Sequence, residues 1–298
     1  MPDQLDMAQK EAAVVTGSST GIGFETSLTL VRNGFNTCAT MRKSGGKTNQ
    51  ITDIAKNEDL PLQVIQLDVS DDKSVLDAIN RIAKEKGRID VVVNNAGYAL
   101  VGPLEQTSME EIKAQFETNF FGAVGVMQAV IPVMREQRNG KIVNITSMGG
   151  RIAIPLDSIY HASKFALEGL SESIQKSIQY ELEPFEIKII LIEPGAIGSN
   201  FWKNLNMASK TSSGNNNNNG DSPYRQLANS LSKSFKQMQQ NTLHPSEVAK
   251  VILQAVISDN PDFRYVVGKD AATILEARRN MSDREFVNFI KKQLNLRK

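Results

Sequence analysis

The sequence is poor in the groups that support disulfide, metal and nucleic-acid chemistry. A single cysteine, Cys38, excludes an intramolecular disulfide. With only His161 and His244 beside it there is little to hold a soft metal, so no metal site is expected. Cys38 lies in the run Thr37-Cys38-Ala39, the setting of an inert, buried thiol. Net charge is almost absent: 34 Lys and Arg against 33 Asp and Glu leave +1 over 298 residues, with no global attraction to nucleic acid or an anionic membrane. Long hydrophobic runs are missing too. The longest nearly apolar stretch, Phe120 to Met134, is interrupted by Gln128 and is shorter than the roughly 20 residues needed to span a bilayer. Met1 to Lys10 is polar and carries Asp3 and Asp6, unlike a secretory or transit signal. A cytoplasmic protein with no nucleic-acid partner and no membrane span is the expectation.

What is present has the profile of a soluble globular chain, 40% hydrophobic and 22% charged. Length alone gives a prior of about two domains, but the patterning argues for one. Short apolar runs at Ala12–Thr16, Asn36–Met41, Leu62–Leu67, Ile89–Val93, Lys141–Ile145, Ile187–Ile192 and Arg264–Val267 read as strands. Amphipathic stretches at Ile22–Asn33, Asp71–Lys86, from Ser108 onward (with Glu111 as capping partner), Ser158–Glu181, Ser246–Ile257 and Ala271–Leu296 read as helices. Strands apolar on both faces and separated by helices mean a doubly wound, Rossmann-like α/β fold: about seven parallel strands with helices on both faces. Ligands in such a sheet bind beyond the carboxyl ends of the strands. Residues 203–241 form a polar excursion containing Asn215–Asn219, either a mobile surface insertion or the outer part of a substrate lid. Residues 271–298 form a helical extension, and from Glu276 its seven basic and three acidic side chains sum to +4.

Thr16-Gly17-Ser18-Ser19-Thr20-Gly21-Ile22-Gly23 joins the first strand to the first helix. Glycines there permit a tight turn and close backbone approach, and the helix start offers N–H groups to a pyrophosphate. The spacing Gly-x-x-x-Gly-x-Gly differs from the general dinucleotide fingerprint, and a glycine turn with no ligand is the alternative. After the second strand comes Met41-Arg42-Lys43, where an NAD-selecting carboxylate would otherwise stand. Arg42 suits a 2′-phosphate by its forked geometry, so NADP(H) is expected ahead of NAD(H). The alternative is a pair of solvated loop charges.

Tyr160 and Lys164 are four apart in Tyr160-His161-Ala162-Ser163-Lys164, and so share one helix face. A phenol near pKa 10 is too weak a base at neutral pH. An ammonium about 4 Å away would attract its anion by about 4 kcal/mol, roughly a thousandfold in acidity as an upper guide. Ser147 and Asn94-Asn95-Ala96-Gly97 follow strands at the ligand-binding edge. Asn119 is a polar residue entering an apolar helix, either functional or held by a structural hydrogen bond.

Together these residues resemble the single-domain short-chain dehydrogenase/reductase family. The resemblance covers roughly Glu11 to Ser199 and rests on Thr16 to Gly23, Asp68-Val69, Asn94 to Gly97, Asn119, Ser147, Tyr160 with Lys164, and Pro194-Gly195. It implies a catalytic set of Asn119, Ser147, Tyr160 and Lys164. Tyr160 would exchange the proton, Ser147 hold the substrate oxygen, Lys164 lower the phenol's pKa and bind the ribose, and Asn119 anchor a water. It further implies cofactor contacts from Gly17, Ser19, Gly21, Ile22, Gly23, Arg42, Asp68, Val69, Asn95, Ala96, Gly97, Pro194, Gly195 and Ile197. Ser199 would stand where the family more often has Thr. Substrate-facing residues are expected at Ser147, Met148, Tyr160, Phe201 and Trp202, with Ile154, Leu156 and Tyr98 nearby. Their apolar character favours a steroid-, retinoid- or lipid-like carbonyl or alcohol, with lid packing as the alternative. A homodimer or homotetramer is expected. The competing reading is a non-catalytic dinucleotide sensor or scaffold on the same fold.

Overall fold

The computed structural model describes residues 10–43, 49–176, 182–199, 206–208, 223–240 and 242–296. The first strand, β1 (Ala12–Val15), is buried on both faces: Val14 joins one apolar cluster, Ala13 and Val15 another. The same holds for β4 (Val91–Asn94) and β6 (Gly140–Ile145), which together with β1 form the middle of the sheet. β2 (Asn36–Met41) and β3 (Leu62–Gln66) extend it one way, β7 (Ile187–Pro194) and β9 (Arg264–Val267) the other. The seven strands run in the order β3-β2-β1-β4-β6-β7-β9, every pairing parallel. The order reverses between β1 and β4, and that switch point opens the ligand crevice. Two short strands, β5 (Leu100–Val101) and β8 (Asn206–Met207), pair outside the main sheet.

Helices cover both faces. α1 (Gly21–Arg32) packs beside α8 (Pro245–Ile257) on one side. On the other lie α3 (Asp72–Lys86), α5 (Gly122–Gln137) and α6 (Ser158–Lys176). The ends follow local chemistry. Asp71 accepts from the N–H groups of Lys73 and Ser74 to start α3, and Gly87 at φ 72° ends it. Ser108 and Glu111 form a complete capping box at α4 (Met109–Phe116). α4 continues into α5 through a π-turn at Glu117–Phe121. The continuous helix Met109–Gln137 is long and apolar enough by length and composition to cross a membrane. Here Val126, Val130 and Met134 are buried in the core beneath the sheet, which accounts for its apolar stripe.

The structure departs from the sequence pattern in three places. A helix, α2 (Asn49–Asn57), lies between β2 and β3, where no element was expected; it packs Ile51 and Ala55 inward at helical spacing. The single helix expected over Ala271–Leu296 is two, α9 (Lys269–Asn280) and α10 (Asp283–Gln293). Ser282 with Glu285 builds a capping box that restarts the chain in a new direction. Within the polar excursion, Arg225–Gln239 forms a helix, α7, whose Leu231 is buried. α7 joins α9 and α10 through Leu231, Leu275, Phe286 and Ile290 in a third apolar cluster, which also takes in Ile152. A few apolar side chains at helical spacing suffice to dock an otherwise polar helix. Asn215–Asn219 and the end of the helix expected to Glu181 lie outside the described residues.

Candidate active site

The carboxyl ends of β1, β4, β6 and β7 open on one cleft of about 1050 Å³. Its backbone half is built by the turn after β1. Gly17 and Gly21 hold φ of 68° and 63°, the left-handed region that side chains resist. A Cβ on Gly17 would fall 2.9 Å from the Ala96 Cα, and one on Gly21 3.1 Å from the Ser199 Cβ. Thr16 ties the two loops together: its hydroxyl accepts from the N–H groups of Asn95 and Ala96 at 3.0 Å each, and the Asn95 amide donates back to its carbonyl at 2.8 Å. Thr20, the N-cap of α1, makes no side-chain capping hydrogen bond, so its side chain does not compete for the first-turn N–H groups. This narrow, glycine-lined cradle at a helix start fits the diphosphate of a dinucleotide.

Gly17, Ser19, Gly21 and Ile22 line the cleft, as do Arg42, Val69 and Asn95 to Gly97. Pro194, Gly195, Ile197 and Ser199 line it from the far side. Two expected cofactor residues sit elsewhere. Asp68 turns its Oδ1 to the Ser70 N–H and hydroxyl, at 3.0 and 2.7 Å, and Ser70 takes the lining place beside Val69. Gly23 faces inward: a Cβ there would meet the Gly17 carbonyl oxygen at 2.5 Å, so this glycine lets α1 pack onto the loop.

The chemical half combines β6 and α6. Ser147 follows β6; its Oγ accepts from the Gly149 N–H at 3.0 Å and hydrogen-bonds Tyr160. Tyr160 is half-buried at the cleft. Lys164, one turn on, donates from Nζ to the Ile145 carbonyl at 2.8 Å and lies 5.9 Å from the centre of the Tyr160 ring. The expected lowering of the phenol's pKa by Lys164 is reversed here. Burial pushes Tyr160 above its ordinary value, the Ser147 hydrogen bond offsets part of that, and Asp157 adds to the rise. Burial also pulls Lys164 down to about 8, against Glu168. The physical reason is that desolvation penalises both charged forms, and the Lys164 ammonium, 5.9 Å from the ring centre, does not offset it at the phenol.

Asn119 sits in the π-turn, buried. Its Oδ1 accepts from the Tyr98 N–H at 3.1 Å, and its Nδ2 donates to the Tyr98 carbonyl at 2.9 Å and to the Ser163 hydroxyl at 3.1 Å. It therefore bridges from its helix to the loop after β4 and to α6, one residue from Lys164, and is absent from the cleft lining. π-turns recur at functional sites, and this one bends Asn119 into that bridge. Met148 and Ile154 line the cleft, as does Tyr98. Leu156, at φ 65°, instead packs on the C-terminal cluster. Phe201 and Trp202 lie outside the described residues.

The comparisons with known proteins agree with this geometry. The family described as short chain dehydrogenase matches residues 11–210. This chain belongs to the short-chain dehydrogenase family. It is an oxidoreductase of that class. The 3-ketodihydrosphingosine reductase of Bacteroides thetaiotaomicron is 36% identical over 260 residues, 87% of this chain and 88% of that one. Retinol dehydrogenase 8 of Bos taurus is 38% identical over 256 residues, 84% of this chain and 79% of that one. A solved short-chain dehydrogenase from Streptomyces avermitilis superposes with a TM-score of 0.77, over 97% of this chain and 99% of that chain, at 28% identity.

This short-chain dehydrogenase also uses residues that the sequence pattern did not single out. His161 donates from Nδ1 to the Gly149 carbonyl at 2.8 Å and accepts at Nε2 from the Ile154 N–H at 3.1 Å, which makes it a neutral clamp on the segment following Ser147. Burial lowers its pKa, consistent with that tautomer. Ile152, Asp157 and Phe235 line the cleft as well. Asp157 stands three residues before Tyr160, a spacing that could have marked it. Behind the cleft Arg264 spans Glu168 at 3.2 Å, Glu172 at 2.8 Å and Glu193 at 3.2 Å, and Arg151 meets Glu193 at 3.2 Å. No group of three or more His, Cys, Asp or Glu suited to a metal occurs among the described residues.

Proposed function

We propose that the protein transfers a hydride between NADP(H) and the carbonyl or secondary alcohol of a hydrophobic small molecule, with Tyr160 as the proton donor. The observation that carries this reading is the meeting of Ser147, Tyr160 and Lys164 in the cleft that the glycine cradle opens. A nicotinamide dinucleotide, when bound, supplies or accepts the hydride. In this proposal the protein's own work is to place the substrate oxygen between two donors, the Ser147 and Tyr160 hydroxyls, where charge develops. A phenol held protonated by burial is the form that would protonate a carbonyl oxygen in reduction. Lys164 would steady the ribose and replace the proton.

Arg42 supports NADP(H). It is exposed at the end of β2 and lines the cleft, where a 2′-phosphate would need a cation. The hydrophobic substrate is supported by Met148, Ile152, Ile154 and Phe235 on the lining, and by two relatives named for lipid-like compounds. The complete Ser147, Tyr160 and Lys164 set argues against a sensor or scaffold. Exposed Phe121 and Phe165, on helices that touch, favour a homodimer or homotetramer, and the lone buried thiol favours the cytoplasm.

The test is a panel of hydrophobic ketones and alcohols followed by NADPH absorbance, with NADH in parallel. Tyr160→Phe should lower kcat by about a thousandfold while cofactor binding persists. Full activity in that variant refutes the assignment, and a preference for NADH refutes the role of Arg42.

A further inference from the structure

Asp270 reaches out of its own helix. It is the second residue of α9 and the acid of its first turn, a position where a carboxyl ordinarily serves the helix dipole. Its Oδ2 accepts from the Ala196 N–H at 2.7 Å, so the side chain also serves a segment 74 residues earlier in the chain. Its Oδ1 presses on the same segment. A Cβ on Gly195 would collide with that oxygen, and one on Gly268 would fall 2.5 Å from it. Both glycines therefore leave the space that the carboxyl fills. Asp270 is absent from the cleft lining, whereas Pro194, Gly195, Ala196, Ile197 and Ser199 are part of it.

The place of that segment decides what the contact can do. Ile145 of β6 pairs with Ile192 of β7, so Ser147 and Pro194, each two residues further on, reach the cleft side by side. The segment after Pro194 thus borders the reacting end of the cleft. Its backbone is held on several sides. The Gly195 N–H donates to the Val267 carbonyl at 2.9 Å, the Gly198 N–H to the Leu243 carbonyl at 2.8 Å, and the Leu243 N–H to the Ala196 carbonyl at 3.2 Å. Those three holds are backbone to backbone; at the Ala196 N–H the hold is a side chain. The helix that supplies it also faces the substrate side. Leu275 and Ala277 of α9 share a cluster with Ile152, and Met148 and Ile154 pack on that cluster while lining the cleft.

We propose that Asp270 is a positioning residue: by holding the Ala196 N–H it sets the backbone against which the nicotinamide ring of a bound dinucleotide rests. The inference rests on the oxidoreductase reading and deepens it. It gives an acid of the C-terminal helices a task at the reacting end of the cofactor and none at its adenine end. Because α9 also backs Met148, Ile152 and Ile154, one helix fixes the ring and the substrate wall relative to each other. Hydride transfer depends on that placement, since an error of about 1 Å in a reacting geometry is costly.

The experiment titrates the full chain with NADPH, followed by nicotinamide fluorescence, and with 2′,5′-ADP, the adenine half of that cofactor, followed by calorimetry. NADH and ADP are run in parallel, so the comparison holds whichever dinucleotide binds. Asp270→Ala should weaken the whole dinucleotide about tenfold and shift its bound emission, with the adenine half unchanged within about twofold. Asp270→Asn keeps an oxygen that accepts, and should restore binding to within about threefold of the unaltered protein. Gly195→Ala pushes the carboxyl aside and should reproduce the loss. In Gly195→Ala/Asp270→Ala the two losses should not add, because both act through one contact. Equal weakening of the dinucleotide and its adenine half in Asp270→Ala marks a loosened fold and overturns the proposal, as does unchanged dinucleotide binding. Additive losses in the double variant overturn it as well. If Asp270→Ala does not fold, Gly195→Ala carries the same comparison of whole and half cofactor. An unaltered protein that binds none of the four ligands refutes the oxidoreductase reading itself, and the proposal with it.

Discussion

Replacing Asp157 with Asn should make the protein more stable at pH 8 and leave it unchanged near pH 4. Burial holds this carboxyl at about 7 instead of 3.8. The folded state therefore keeps a proton that the unfolded chain releases near 3.8, and stability falls as pH rises between those two values. Above pH 7 both states are ionised and the penalty is fully present. At about 1.4 kcal/mol per tenfold change in proton affinity, it amounts to about 4 kcal/mol. Local relaxation around the carboxylate lowers the measurable part to about 2 kcal/mol. Asparagine keeps the shape and removes the charge, so the gain should appear as a rise of about 4–8 °C in Tm at pH 8 that vanishes toward pH 4. Thermal unfolding of both proteins across that range, followed by circular dichroism, is the assay. A rise equal at pH 4 and pH 8, or a loss of stability at pH 8, would refute the burial argument. The expected outcome is a gain in stability, because the charge is removed from a buried position that desolvates it.

Arg264→Met should cost about 3–5 kcal/mol at neutral pH, because it strands the buried Glu168 and leaves the fully buried Glu193 with Arg151 alone. The loss should shrink at pH 5, where a stranded carboxyl can protonate, and Tm measured at both pH values checks it. Arg42→Ser should raise the KM for NADPH by about tenfold or more while changing that for NADH little; paired cofactor titrations decide this. Cys38, fully buried with its thiol pushed up to about 11, should resist Ellman's reagent in the native protein and react once it is unfolded.

Much of the fold was legible because its signals are local. A run such as Ala12–Val15, apolar on both faces, can only be a strand covered on both sides, and Gly17, Gly21, Gly34 and Gly87 all adopt positive φ where the chain turns. Ser108 and Glu111 declared a helix start through their own side chains. Other elements were less legible. No element was legible between Lys43 and Leu62, although Ile51 and Ile54 dock α2. The polar helix α7 depends on α9 and α10, whose contact with it spans many residues of sequence.

The residue types and spacing at Ser147, Tyr160 and Lys164, and the cation at Arg42, follow from the sequence by itself. They depend on helix periodicity and on the strand-end rule for parallel sheets. Tertiary structure alone decided the electrostatics. Whether Lys164 lowers the Tyr160 pKa or burial raises it depends on how much water the folded cleft excludes, and no spacing reports that. The same is true of Asn119, engaged by Tyr98 and Ser163. It is also true of Asp157, whose Oδ1 is buried without a hydrogen-bond partner among the described residues and whose Oδ2 faces a histidine nitrogen that has no proton to give.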